Sequence, residues 1–182
     1  MYEDNNDKKS AGMLVTYVFN DSVNVGYSGY YGDDSLKGNH LLMAHNAFLN
    51  FKGKKIKVTV GGDYITQQNS SISIPQKTAS MWSAVLILSY NFTEKFRAYN
   101  RVEEYSDPNG LLSGVFMDEI HKFTGLKLWG TTAGIEFKPV DKAYIRLEGR
   151  VLIADHHQKI FRWNNENRSQ RWEAMINFGV WF

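Results

Sequence analysis

The sequence predicts an all-β protein: an antiparallel up-and-down transmembrane β-barrel, with about nine strands in this chain and the chain part of a larger barrel. Three observations carry this expectation. Apolar and polar residues alternate over many segments of roughly ten residues, longer than the soluble-strand mode of about 5–6 and close to the ~9–11 that a tilted strand needs to cross a bilayer. The polar face carries opposite charges two residues apart, as in Arg101/Glu103 and Arg146/Glu148/Arg150. Aromatic residues gather at the strand ends, where interfacial girdles lie. A soluble sandwich or calycin-like barrel also fits alternation alone, with the apolar face turned inward. Strand length, inward charge pairs and end-placed aromatics favour the membrane barrel, in which the apolar face meets lipid.

Taken in order, the strand candidates are 12–19, 23–31, 41–51, 56–66, 81–92, 96–106, 126–138, 143–155 and 171–182. The last shows the logic. Trp172, Ala174, Ile176, Phe178, Val180 and Phe182 fall on one face, and Glu173, Met175, Asn177, Gly179 and Trp181 on the other. Only a period of two separates these sets. In 143–155 a helix would scatter Arg146, Glu148 and Arg150 around its cylinder. Connections alternate between short (20–22, 52–55, 93–95, 139–142) and long (32–40, 67–80, 107–125, 156–170). The long ones are rich in Gly, Asn, Ser, Asp and charge, which is loop chemistry; Asp107-Pro108-Asn109-Gly110 reads as a turn. Each strand entering a short turn ends in Phe: Phe19, Phe51, Phe92 and Phe137, with Phe182 last, at spacings of 32, 41, 45 and 45 residues. Phe96 also lies at that end, while Tyr27, Tyr31, Tyr64, Trp82, Tyr105, Trp129 and Trp172 mark the long-loop end. Propeller blades share such periods but not the strict short–long alternation. The domain reading is a polar segment at 1–11 outside the membrane, followed by barrel strands over 12–182.

Composition bounds the rest. A chain of 182 residues is one domain by length. Hydrophobic residues make 43% and charged ones 22%, so the chain is not disordered in bulk. With no cysteine there is no disulfide scaffold and no thiolate metal site. A formal net charge of +2 gives no reason to expect nucleic acid. The longest apolar run, 84–88, is far short of the ~20 residues of a spanning helix. The mean hydropathy of −0.40 looks soluble, but averaging hides a period of two. The start of the chain lacks the apolar stretch of a signal peptide, so either that signal has been removed or the chain does not begin where its gene begins.

The segments VNVGYSGYYGDD at 23–34, YNFTEKFRAYNRVEEYSDPNG at 90–110 and GIEFKPVDKAYIRLEGR at 134–150 are similar to outer-membrane β-barrel porins of the OmpL-like (beta-barrel porin-2) type, frequent in Bacteroidetes-like bacteria. The terminal strand, with Ile176, Phe178, Val180 and Phe182, resembles the C-terminal signal that barrel-assembly machinery reads in Gram-negative bacteria. The resemblance spans about 12–182 and implies a bacterial outer-membrane location, passive diffusion of small solutes, a lipid environment, no catalytic residue and no cofactor. Members of that family are usually about twice as long, and this chain resembles their C-terminal half. Topology agrees. With Phe182 at the periplasmic end, nine strands put the start of the first strand outside, whereas single-chain bacterial barrels have an even strand number. An ascending strand is therefore expected from a longer parent or from an additional envelope polypeptide.

The candidate pore-lining residues are Lys57, Asp63, Arg97, Arg101, Glu103, Glu136, Arg146, Glu148, Arg150, Arg171 and Glu173. Six are cationic and five anionic, which predicts no strong ion selectivity. They either line a channel or interlock to fill a narrow barrel; strand number chooses, since about eight strands are filled by side chains and sixteen leave a channel. The girdle candidates are Phe19, Phe51, Phe92, Phe137, Trp129 and Trp172. His156 and His157 are adjacent, an awkward arrangement for one metal ion, so no metal site is expected. His45 falls on the apolar face, and a bulge or register shift is the expected reason. A lipid-modifying enzyme would need a Ser/His/acid set at the rim. No G-x-S-x-G occurs, and Gly26-Tyr27-Ser28-Gly29 is one residue short, so no enzyme is expected. A non-conducting subunit of a larger envelope complex remains the second reading.

Overall fold

The computed structural model describes residues 8–33 and 40–182. Thirteen strands follow one another: β1 (Ala11–Asn20), β2 (Val23–Gly32), β3 (Leu42–Lys52), β4 (Ile56–Gln67), β5 (Ala79–Asn91), β6 (Phe96–Ser106), β7 (Phe116–Met117), β8 (Phe123–Thr124), β9 (Lys127–Val140), β10 (Ala143–Ala154), β11 (Phe161–Trp163), β12 (Glu166–Arg168) and β13 (Gln170–Val180). Nine of them, each 10–14 residues long, form one sheet in the order β1-β2-β3-β4-β5-β6-β9-β10-β13. Every pairing is antiparallel and every long strand pairs with its neighbours along the chain. At about 3.3 Å per residue, a strand of 12 residues such as β4 tilted by about 40° spans about 30 Å, the thickness of a bilayer's hydrocarbon core.

Among the described residues the sheet does not close: β1 and β13 each have one partner. Because consecutive strands alternate in direction, the first and ninth strands of the sheet run the same way. The four short turns and the four long connections therefore lie at opposite ends.

Burial has the reverse of a soluble pattern. Among the described residues the buried hydrophobic ones are few (Ala79, Met81, Leu152 and Ala154), while Leu86, Leu88, Ile135, Leu147, Ile176 and Phe178 are exposed. In β5 the outward set Trp82, Ala84, Leu86, Leu88 and Tyr90 alternates with Ser83, Val85, Ile87, Ser89 and Asn91. An apolar face left open to the surroundings is costly in water, and in lipid costs nothing.

Several expectations are corrected. The ninth long strand ends at Val180 rather than at Phe182, which lies beyond the last ladder bonds. Two short hairpins, β7–β8 and β11–β12, sit inside the long connections 107–126 and 155–169. Runs of two or three residues carry too little alternation to be read from sequence. No bulge occurs at His45: β3 pairs in unbroken register with both β2 and β4. Among the described residues the register shifts lie at the short-turn end, between Val18 and Asn20 and between Ala143 and Ile145. Of the polar segment 1–11, residues 1–7 lie outside the described residues; Lys8 meets Asp33 at 2.6 Å, and β1 starts at Ala11. Residues 34–39 of the first long connection also lie outside them.

Candidate functional site

Cross-strand partners share a face, so the register fixes sidedness residue by residue. Asp63 pairs with Ser83 and Lys57 with Ser89; Arg97 pairs with Glu136, which pairs with Arg146; Arg150 pairs with Glu173, and Leu152 with Arg171. Strand alternation then carries all eleven candidate residues, Lys57, Asp63, Arg97, Arg101, Glu103, Glu136, Arg146, Glu148, Arg150, Arg171 and Glu173, onto one polar face.

The network on that face is built across strands. Glu136 on β9, 2% exposed, holds two arginines with one oxygen: Arg97 Nη2 of β6 donates to Oε2 at 2.8 Å, and Arg146 Nη2 of β10 at 2.7 Å. Arg146 Nε adds a third bond to that oxygen at 3.2 Å. The Arg146 guanidinium also lies 5.6 Å from the Tyr99 ring and 5.0 Å from the Tyr144 ring. Glu148 receives the Tyr99 hydroxyl and, at 2.7 Å, the Asn177 amide of β13. Glu103 accepts from Arg101 and from Arg150, the latter at 2.5 Å across the width of β9. Arg171 and Glu173 pair along β13 at 2.8 Å. Asp63 accepts from Asn46 at 2.7 Å and from Ser83 at 2.6 Å. The spacing of two thus marks genuine pairs in Arg101/Glu103 and Arg171/Glu173. In Arg146/Glu148 it marks only a shared face, because each group turns to another strand.

Glycine makes the long reach possible. A Cβ at Gly134 would lie 2.4 Å from the Tyr99 ring, so the phenol lies flat across β9 only because that position has no side chain. Gly130 opens the same strand for Glu103, whose carboxylate a Cβ would meet at 2.9 Å.

The charges are unevenly distributed. From β6 to β13 the polar face is ionic, whereas over β2 to β5 it is mainly neutral. Thr59 donates to Asn50 at 2.7 Å, and Asn50 to Asn24 at 3.0 Å. The charge pattern alone misses these amides, and also Tyr99 and Asn177; their signal is their parity along the strand.

The apolar face carries the girdle candidates. Phe19, Phe51, Phe92 and Phe137 are exposed at the short-turn end, with Tyr17 4.7 Å from Phe19, Tyr90 5.0 Å from Phe92 and Phe96 5.1 Å from Phe137, ring centre to centre. Trp129 and Trp172 are exposed toward the long loops. Ile176, Phe178 and Val180 share the apolar face with Leu147, Ile145 and Ala143. Tyr105 is different: it pairs with Ser83 on the polar face, and its hydroxyl meets Asp107 at 3.3 Å. His45 keeps its place on the apolar face because Tyr27 satisfies it, hydroxyl to Nδ1, at 2.7 Å, with the Tyr31 ring edge-on at 5.5 Å.

At the long-loop end Asp107, fully buried, organises the 107–125 connection. Its carboxylate accepts the backbone N–H groups of Leu111 (2.9 Å), Leu112 (2.8 Å) and Ser113 (3.0 Å), and the Ser113 hydroxyl at 3.0 Å. Burial alone pushes this carboxyl up, but the N–H donors outweigh it and hold it below the usual carboxylate range. Gln158 closes the next loop onto the same region, donating to Gly125 O at 2.9 Å and accepting from Lys127 N at 2.9 Å. His156 and His157 stack with ring centres 3.7 Å apart. Among the described residues no three metal-ligating side chains converge.

A face of this kind, which presents ion pairs and amides, can bind, screen or pass polar solutes. The family model for the beta-barrel porin-2, OmpL-like family matches residues 1–182. No curated protein and no solved structure matches the chain.

Proposed function

The chain belongs to the beta-barrel porin-2, OmpL-like family, and from that premise we propose that it forms part of an outer-membrane channel for passive diffusion of small polar solutes, without enzymatic activity. One observation carries the reading: eleven charged residues and a ladder of amides share one face of a sheet whose other face is apolar and exposed. Strands of 10–14 residues supply the length to cross the hydrocarbon core.

A second reading is favoured by the unpaired edges. Among the described residues β1 and β13 each lack a second partner, and lipid cannot satisfy their free N–H and C=O groups. They run in the same direction, so all-antiparallel closure needs an odd number of further strands. Two copies in the same orientation would place β1 parallel to β13 of the other copy. We therefore propose that the strands closing this barrel come from chain of different sequence: another part of a longer protein, or another envelope polypeptide. Barrel-assembly machinery would read the Ile176, Phe178, Val180, Phe182 pattern during insertion.

The test is the native mass of the assembly, extracted from outer membranes in mild detergent without heating, followed by conductance in planar bilayers. A particle larger than one chain, with stepwise conductance, is the expected result. A folded, heat-modifiable assembly that conducts nothing refutes the channel and leaves a structural subunit. A closed particle of a single 20.9 kDa chain refutes the composite barrel.

A further inference from the structure

Positive charge is unevenly spread along the polar face. The stretch Lys52-Gly53-Lys54-Lys55-Ile56-Lys57 puts four lysines on one short turn, and Lys52 and Lys57 are direct cross-strand partners on the polar face. Like charges placed opposite one another weaken a ladder. Two backbone bonds bring further lysines alongside. Asn91 N donates to Lys55 O at 2.8 Å, joining this turn to the β5–β6 turn that carries Lys95, and Lys138 N donates to Lys95 O at 2.8 Å.

Together these groups line a cavity of about 420 Å³ with six cationic side chains, Lys54, Lys55, Lys57, Lys95, Arg97 and Lys138, against two carboxylates, Glu94 and Glu136. One of the two is partly committed: Glu136 Oε2 serves Arg97 and Arg146, while its Oε1 is buried without a hydrogen-bond partner and 4.0 Å from Lys138 Nζ. No ion pair engages Lys54, Lys55, Lys57 or Lys95 among the described residues. Arg97 Nε is buried without an acceptor, a donor left over after Glu136 has been served. Elsewhere on the same face Arg101, Arg150 and Arg171 each meet a carboxylate. Here six cations face only two, and Arg97, Lys138 and Arg146 share one of them. An excess of mutually repelling positive charge in a concave site favours an anion that carries several negative oxygens.

We propose that the short-turn mouth of the polar face is a binding site for small phosphate-bearing anions, which it concentrates for passage along that face. The site deepens the channel reading and rests on it for its role, but not for its binding. The shared chemistry is the phosphate group, which a soluble solute or an anionic lipid headgroup could bring. Lys57 and Arg97 lie on the polar face and Lys138 approaches Glu136 there, which favours the soluble solute, although Phe92 of the girdle also lines the cavity.

The probe is inorganic pyrophosphate, titrated calorimetrically into the detergent-solubilised native assembly at low salt, with heat-modifiable migration as the control for folding. Binding is expected, weakened at least tenfold in a Lys57→Gln/Lys138→Gln variant and falling steeply with added salt. No detectable binding by the folded wild type overturns the proposal. So does affinity unchanged in that double variant. Binding that survives it, is lost in Lys54→Gln/Lys55→Gln and is competed by phosphatidylglycerol in mixed micelles would reassign the lysines to a headgroup at the rim. Pyrophosphate binding without conductance would sink the channel reading and leave this site standing.

Discussion

Gly149 offers the sharpest test of which face meets lipid. It lies midway along β10, between Ala133 of β9 and Ala174 of β13, on the face that carries Leu147 and Val151. A Cβ built there meets no atom within 4 Å, so an added side chain does not collide with the sheet. In water Gly149→Arg would therefore be neutral or would stabilise, since glycine in a strand interior costs about 0.5–1 kcal/mol relative to alanine. In lipid the same arginine lies at the bilayer midplane, where it costs about 2–4 kcal/mol. The difference is a net loss of about 1–3 kcal/mol, roughly a 5- to 140-fold fall in the folding equilibrium constant. The assay is urea-dependent folding of the assembly in vesicles, followed by tryptophan fluorescence and heat-modifiable migration. Gly149→Leu is the control and should stabilise. An arginine variant as stable as wild type, together with a destabilised leucine variant, would refute the sidedness and with it the membrane barrel.

Other expectations follow from single contacts. Glu136→Gln strands Arg97 and Arg146 beside each other; because these are 26% and 28% exposed, the loss should sit near 3 kcal/mol, the low end for breaking a buried pair, read as a shift in the urea midpoint. Gly134→Val fills the space that Tyr99 occupies, and should cost more than Tyr99→Phe, which removes only the hydroxyl donor to Glu148 and should cost about 1–2 kcal/mol. If the two substitutions cost the same, the ring is not held across Gly134. Asp107→Ala orphans three backbone N–H groups and should raise the protease sensitivity of 107–125 by an amount equal to about 2–3 kcal/mol of local stability, with the strands untouched. The sign with pH follows from the depressed carboxyl: its contribution is complete above the unfolded value near 3.9, and is lost as pH falls through the lower folded value. Loop protection at neutral pH should therefore persist to pH 4 and fail only below it. Failure between pH 7 and 5 would show that another group controls the loop.

The nine long strands were legible because each carries its own evidence. In β13, residues 172–180 alternate without interruption, and no tertiary contact is needed to see it. The polar and apolar sets were legible for the same reason, since a period of two assigns a face before any partner is known. The short strands β7, β8, β11 and β12 were not, because two or three residues hold no period. His45 and Tyr105 mark another limit. Alternation put His45 on the apolar face, where it stays, but its hydrogen-bond partner Tyr27 is 18 residues away on another strand. The chemistry of Tyr105 and its place near a strand end suggest a girdle residue, although its parity matches that of Arg101 and Glu103.

The sequence by itself thus determined the class, the number of long strands, their direction and the face of nearly every residue, because these are properties of one strand and its turns. Only the tertiary structure decided who meets whom. Arg146 turns to Glu136 rather than to Glu148, Tyr99 crosses β9 over Gly134, and Lys55, Lys95 and Lys138 gather at one mouth. Such choices depend on register between strands distant in sequence. Register is set by ladders of backbone bonds that one strand cannot form alone.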